Sequence, residues 1–258
     1  MNLGTLGAVL LIGVFWGLNW PAVKTLLTEI APFTIRAVAL TASGALLLVV
    51  AWALGHKLRP ERGEVWPLLM AGLLTVFGFN VLVTFGQILT ETSKAAIIAY
   101  TMPALTALFS AWLLGERLGR GRALALALGM AGIAVMVSEN TTDLIANPLG
   151  PLITGASALT WALGVVATKA RAWTVSPMTQ AVWFLLPSGL LCWPFALALE
   201  APWAAPWPSL TVQAVMIWHV LCPMLGAYFL WTTLVGRLPA TVAALATLLA
   251  PVVAVGSS

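Results

Sequence analysis

The chain has 258 residues, 61% of them apolar and only 8% charged, with a net charge of +4. A water-soluble domain carries roughly 25% charged residues, so most of this surface faces lipid. The twelve basic residues are spread over short loops and form no tract, which excludes nucleic acid as a partner.

Crossing a bilayer takes about 20 apolar residues per helix. Nine stretches meet that length in chain order: about 3–24, 33–54, 65–89, 93–114, 122–138, 149–169, 177–199, 210–236 and 239–255. The first is too long for a signal-peptide core and has no basic segment before it, so it is read as a retained span. Cys192 and Cys222 both fall inside spans, where a structural disulfide has no use. No His, Cys and carboxylate residues share metal-ligand spacing, and no cofactor is expected.

The connecting loops carry the orientation. Lys57, Arg59, Arg62, Arg117, Arg120, Arg122, Lys169, Arg171 and Arg237 fall on one side. Lys24, Arg36 and Lys94 fall on the other, with Glu29, Glu91, Glu139, Asp143 and Glu200. The positive-inside rule then predicts a cytoplasmic N-terminus.

A spacing occurs twice. Trp16, Lys24 and Pro32 lie eight residues apart, as do Trp161, Lys169 and Pro177, and the two sets are offset by 145. Ala31-Pro32-Phe33-Thr34 also matches Ser176-Pro177-Met178-Thr179. The first span thus pairs with the sixth, and the repeating unit holds five helices. An odd unit inserts its second copy upside down, the inverted repeat of many transporters. At offset 148, Pro103 aligns with Pro251, Ala95 with Ala243, Ala96 with Ala244 and Ser110 with Ser258. The expected organisation is a first five-helix repeat over 1–145 and an inverted second repeat over 146–258. After Ser110 the first half continues into Gly115-Glu116-Arg117 and a fifth span. The second half stops at Ser258, so a tenth helix is expected to be missing.

These residues resemble a known family. Trp16-Gly17-x-Asn19, then Lys24, Pro32 and Arg36, resembles the first two helices of the drug/metabolite transporter superfamily, EamA type. Thr92-Ser93, Pro103 and Leu114-Gly115-Glu116-Arg117 resemble the end of its fourth helix. Gly129 and Gly132 resemble its fifth, and Trp161 and Lys169 the start of its second repeat. Within the superfamily the pattern looks most like the bacterial exporters of amino acids, aromatic ones included. The resemblance implies an all-α integral membrane protein of ten helices in two inverted five-helix repeats, nine of them visible in this chain. It also implies a central cavity lined by spans 1, 3, 4, 6, 8 and 9.

Several residues are candidates for that cavity. Trp16 lies about 12 Å along its helix from Lys24, near the middle of a ~30 Å core. Trp161 is its repeat mate. The pair either walls a substrate chamber or packs helices together. Asn19 shares a face with Trp16, and Asn80 lies mid-span beside Phe79. Each amide either binds solute or bonds between helices. Gln87 and Gln213 lie nearer span ends. Tyr100 precedes the helix-disrupting Pro103. Tyr228 and Trp231 follow Pro223. All three aromatics are expected at the cavity, with packing as the alternative.

His219 is the one titratable group deep in a span that switches near neutral pH; it is a coupling site or a hydrogen-bonded structural histidine. Lys24 and Lys169 are interfacial and fit a gate. Arg36, one turn past Pro32, is expected to snorkel outward. Trp52, Trp66, Trp112, Trp173, Trp203 and Trp207 sit near span ends, as an aromatic belt does. Gly78, Gly86, Pro103, Pro223 and Gly226 are candidate bending points.

No Asp or Glu lies mid-span, which argues against a carboxylate proton relay and favours a net-neutral or amphipathic solute. There is no phosphate-binding loop, so ATP does not drive this chain directly. The reading is a monomeric inner-membrane, multi-pass exporter of small metabolites, amino acids foremost, working by alternating access in contact with membrane lipid. A multidrug or lipophilic-cation exporter would use cation–π contacts but lacks a buried carboxylate. A sugar-nucleotide or phosphorylated-metabolite carrier needs central Arg or Lys, and the basic residues here are read as peripheral. A membrane enzyme lacks an acid–base cluster. A purely structural membrane protein gives no reason for buried Asn, Tyr and His.

Overall fold

A computed structural model describes residues 3–117, 119–138 and 147–238. Eight helices run through them: α1 (Leu3–Leu26), α2 (Pro32–Ala53), α3 (Arg62–Leu89), α4 (Thr92–Leu113), α5 (Arg120–Ser138), α6 (Leu149–Lys169), α7 (Pro177–Leu199) and α8 (Leu210–Arg237). All except α5 meet the length and apolarity of a membrane crossing, and α5 has 19 residues. The ninth stretch, 239–255, lies outside the described residues, as do Pro251 and the other residues aligned with it.

Local chemistry sets where the helices begin. Pro32 and Pro177 stand in the first turns of α2 and α7, where a missing N–H costs nothing. Glu61 and Glu64 form a reciprocal capping box at the start of α3. Ser209 caps α8 by accepting from the Val212 N–H.

Two helices are long and contain a π-helical stretch. In α3 it spans Leu73–Gly78 and in α8 Val220–Gly226, with Pro223 inside. Such stretches are common at functional sites because they leave carbonyls loosely bonded. Helix α4 is broken: one segment ends at Ala99 and the next starts at Met102, with Pro103 in its first turn. Pro103 therefore opens a new segment rather than kinking a continuous one.

The tightest pairing joins α2 and α7. A Cβ at Gly44 would sit 2.6 Å from the Leu186 nitrogen, and one at Gly189 would run into the Thr41 backbone. Small residues are what allow membrane helices to approach this closely. The contact is reciprocal: Thr41 and Leu186 stand 145 residues apart, and so do Gly44 and Gly189. Gly78 faces Thr160 and Gly226 faces Phe15; Phe15 and Thr160 are offset by 145, Gly78 and Gly226 by 148.

The helix ends show the same exchange. Glu29, in the α1–α2 loop, accepts from the Ser209 N–H and hydroxyl at 2.6 and 2.7 Å. Glu64, at the start of α3, accepts from the Thr174 N–H and hydroxyl at 2.7 and 2.6 Å. Positions 29 and 174 are offset by 145, and so are 64 and 209.

Outward faces carry Leu, Val and Trp. Trp52, Trp66, Trp112, Trp203 and Trp207 are all exposed, as a lipid-facing belt requires. Trp173 differs: it is half-buried, and its indole N–H donates to the Thr168 carbonyl. Cys192 and Cys222 are both free.

Candidate functional site

The two repeat-mate tryptophans meet at the centre. Trp16 of α1 and Trp161 of α6 stand edge to face, with centroids 5.1 Å apart. Tyr228 and Trp231 of α8 pack on Trp16 at 5.5 and 5.6 Å, and Phe79 of α3 packs on Trp161 at 4.9 Å. Trp16, Phe79, Trp161 and Tyr228 wall a cavity that Asn19, Trp20, Arg36, Asn80, Gln87 and Tyr100 also line. Of the predicted binding residues only Trp231 stands back from it, wedged between Trp16 and Trp161. The free space is about 30 Å³, room for roughly two water molecules. The cavity must widen before it admits an amino acid.

Hydrogen bonds fix the rings, and they differ between the halves. The Trp16 indole donates to the Pro223 carbonyl at 3.1 Å, in the π-helical stretch of α8. The Trp161 indole N–H is buried without an acceptor among the described residues. Asn80 Nδ2 donates to Tyr228 Oη at 2.7 Å and to the Val76 carbonyl.

Arg36 corrects the sequence reading. It is 1% exposed rather than snorkelled. Its side chain turns into the bundle, where α3 and α8 offer partners that the lipid side lacks. Its Nε donates to Thr84 Oγ1 at 2.8 Å, and its Nη1 meets His219 Nε2 at 3.3 Å. The Nδ1 of His219 lies 2.6 Å from Asn19 Oδ1. The consistent assignment has Nδ1–H donating to Asn19 while Nε2 accepts from Arg36. His219 is thus a fully buried, neutral link in a chain from α1 to α8, α2 and α3. The expectation that the basic residues are peripheral fails here, because a guanidinium stays charged and sits in the cavity wall. Among the described residues the ion pairs are Lys57–Glu61 and Lys94–Glu91, and neither involves Arg36.

On one side the cavity ends at a small partition. Trp20 Nε1 donates to Tyr100 Oη at 3.1 Å, and Gln87 Nε2 donates to the Trp20 carbonyl at 3.3 Å. Beyond it lies a vestibule of about 410 Å³, to which Gln87, Lys24 and Glu91 contribute. Sequence reasoning undervalued Gln87 for lying near a span end, yet that position suits a partition. Lys24 is exposed there. Its mate Lys169 instead donates to the Val235 carbonyl at 3.0 Å, on the helix end where α6 meets α8. Pro103 and Pro223 do not line the cavity. Pro103 starts the α4 segment that carries Met102, a lining residue, and Pro223 holds Trp16.

This bundle of apolar helices around an aromatic-walled cavity matches one family model, the EamA-like transporter family, over residues 3–138. The chain belongs to that family. It is a transporter and not an enzyme. It is 31% identical over 253 residues to the uncharacterized transporter YvbV of Bacillus subtilis, covering 95% of this chain and 79% of that one. It is 29% identical over 143 residues to the aromatic amino acid exporter YddG of Ancylobacter novellus, covering 54% and 50%. It is 24% identical over 268 residues to a probable amino-acid metabolite efflux pump of Escherichia coli, covering 96% and 84%. One crystal structure superposes with a TM-score of 0.79 at 22% identity, over 98% of this chain and 86% of that one, and so shares the fold.

Proposed function

We propose that this family member exports amino acids across the inner membrane, with broad tolerance of apolar and aromatic side chains. The observation that carries the reading is the cavity where Trp16 and Trp161 meet, walled by aromatic rings and closed by a polar cluster. The rings offer apolar area for a side chain, and the guanidinium of Arg36 offers a fork for a carboxylate. The names of two relatives, an aromatic amino acid exporter and an amino-acid metabolite efflux pump, agree with it.

The transport cycle follows from the reciprocal contacts. Where residue i meets j and their mates meet in turn, a two-fold relation joins the parts. Such pairs occur at Thr41–Gly189 with Gly44–Leu186, and at Glu29–Ser209 with Glu64–Thr174. We read them as an inverted five-plus-five repeat, with the N-terminus cytoplasmic from the distribution of loop charge. One half rocks against the other without ATP. The π-helical stretches of α3 and α8 let the cavity widen. The monomer carries the whole pathway.

Counterflow of labelled amino acids into proteoliposomes tests this. Uptake that a folded Trp161→Ala variant loses is the expected result. Folded protein that moves no amino acid would end the reading. The rival, a lipophilic-cation exporter, is opposed by Arg36, which repels a cation from the cavity; uptake of cationic dyes alone would restore it.

A further inference from the structure

The cavity's unspent hydrogen-bonding capacity is mainly that of donors. Arg36 uses Nε and Nη1, leaving Nη2 without a partner among the described residues. The Trp161 indole N–H is buried and, among the described residues, unpaired. Tyr228 Oη accepts from Asn80 and Tyr100 Oη accepts from Trp20, so each hydroxyl keeps its own hydrogen to give. The acceptors are largely taken. Asn19 Oδ1 meets His219 Nδ1, and His219 Nε2 meets Arg36. What remains are the neutral amide oxygens of Asn80 and Gln87. No Asp or Glu is among the lining residues.

Charge balance points the same way. The lining carries one formal charge, on Arg36. A carboxylate anion brings the closed cavity to neutrality. A zwitterion leaves the guanidinium charge uncompensated in a medium where that is costly. A cation doubles the charge.

From these groups, and resting on the reading of this cavity as the transport site, we infer that the substrate is recognised by its carboxylate and that an α-ammonium group is dispensable. Arg36 and the Trp161 indole form the carboxylate subsite, and the rings of Phe79, Trp16 and Tyr228 take an aromatic or apolar body. Deaminated aryl carboxylates are then ligands at least as good as the corresponding amino acids.

The test is titration calorimetry of the purified full chain at pH 7.5 with three probes: L-phenylalanine, 3-phenylpropionate, which lacks the amine, and phenethylamine, which lacks the carboxylate. The expected result is 3-phenylpropionate binding at least as tightly as L-phenylalanine and at least tenfold tighter than phenethylamine. Arg36→Gln, checked for a cooperative melt, removes that preference. Should it not fold, Trp161→Phe keeps the ring and loses the donor, and it weakens 3-phenylpropionate about threefold or more. Phenethylamine binding as tightly as 3-phenylpropionate overturns the inference. So does L-phenylalanine that binds and undergoes counterflow while 3-phenylpropionate neither binds nor competes; that outcome leaves the exporter reading standing. Binding of 3-phenylpropionate without L-phenylalanine upholds the inference and removes the amino-acid reading. Folded protein that binds none of the three defeats both.

Discussion

Trp16 and Trp161 occupy corresponding places in the two halves, touch each other, and are held differently. Trp16 has its indole N–H fixed by Pro223, while Trp161 has its own left unpaired among the described residues. The lysines eight residues on repeat the contrast: Lys24 is exposed beside the vestibule, whereas Lys169 is docked on Val235. Polarity is unequal too. The places that hold Asn19 and Arg36 in the first half hold Gly164 and Ala181 in the second. On the proposed repeat, matching positions supply the aromatic walls, and single differences between them supply the polar pole of the site and the asymmetry between its two ends.

The sharpest test is at the α2–α7 crossing, where the halves are alike. Gly44→Ala and Gly189→Ala each force the helices apart and are expected to cost about 1–3 kcal/mol, read as a lower melting temperature in detergent. Equal losses support the two-fold relation, and a tolerated substitution at one site breaks it. Next come the lysines. Lys169→Met removes a charged donor from a buried carbonyl and is expected to cost about 1–2 kcal/mol; Lys24→Met stays within about 0.5 kcal/mol. Trp16→Phe loses one neutral hydrogen bond, for about 1 kcal/mol. Trp161→Phe loses none and leaves the melt almost unchanged while weakening transport. If the two tryptophan variants melt alike, the contrast between them is wrong.

The smallest effect concerns the exposed Glu29 latch. The N–H and hydroxyl of Ser209 hold its carboxyl below the ordinary carboxylate value of 4.5. A lowered value gives stability that is present above the ordinary value and lost as pH falls through the lowered one. An acid titration should loosen the contact only below pH 4.5, and Glu29→Gln should erase that dependence. Hydrogen exchange at the Ser209 amide reads both.

Span positions were legible because about 20 apolar residues per crossing is a strong length signal. The fourth span was expected to be disrupted near Pro103, and its two segments meet there. The repeated spacing led to Trp16 and Trp161, mid-span depth led to Asn80, and nearness to Pro103 and Pro223 led to Tyr100 and Tyr228. Arg36, Trp20 and Gln87 escaped for one reason: each lies near a span end, where snorkelling or a belt is the ordinary expectation. A signal for Arg36 was present in the repeat itself, since its counterpart Ala181 carries no charge.

The sequence by itself determined that the chain is a membrane bundle and where most of its spans begin and end, and it carries the spacing from which we propose the repeat. Only the tertiary structure decided which face of each helix turns inward, and hence that Arg36, His219 and Asn19 join in one chain beside the rings. In a soluble helix, polar residues mark the outer face. Here lipid and neighbouring helices are both apolar, so the periodicity of an almost wholly apolar helix does not distinguish them, and packing alone assigns the inside.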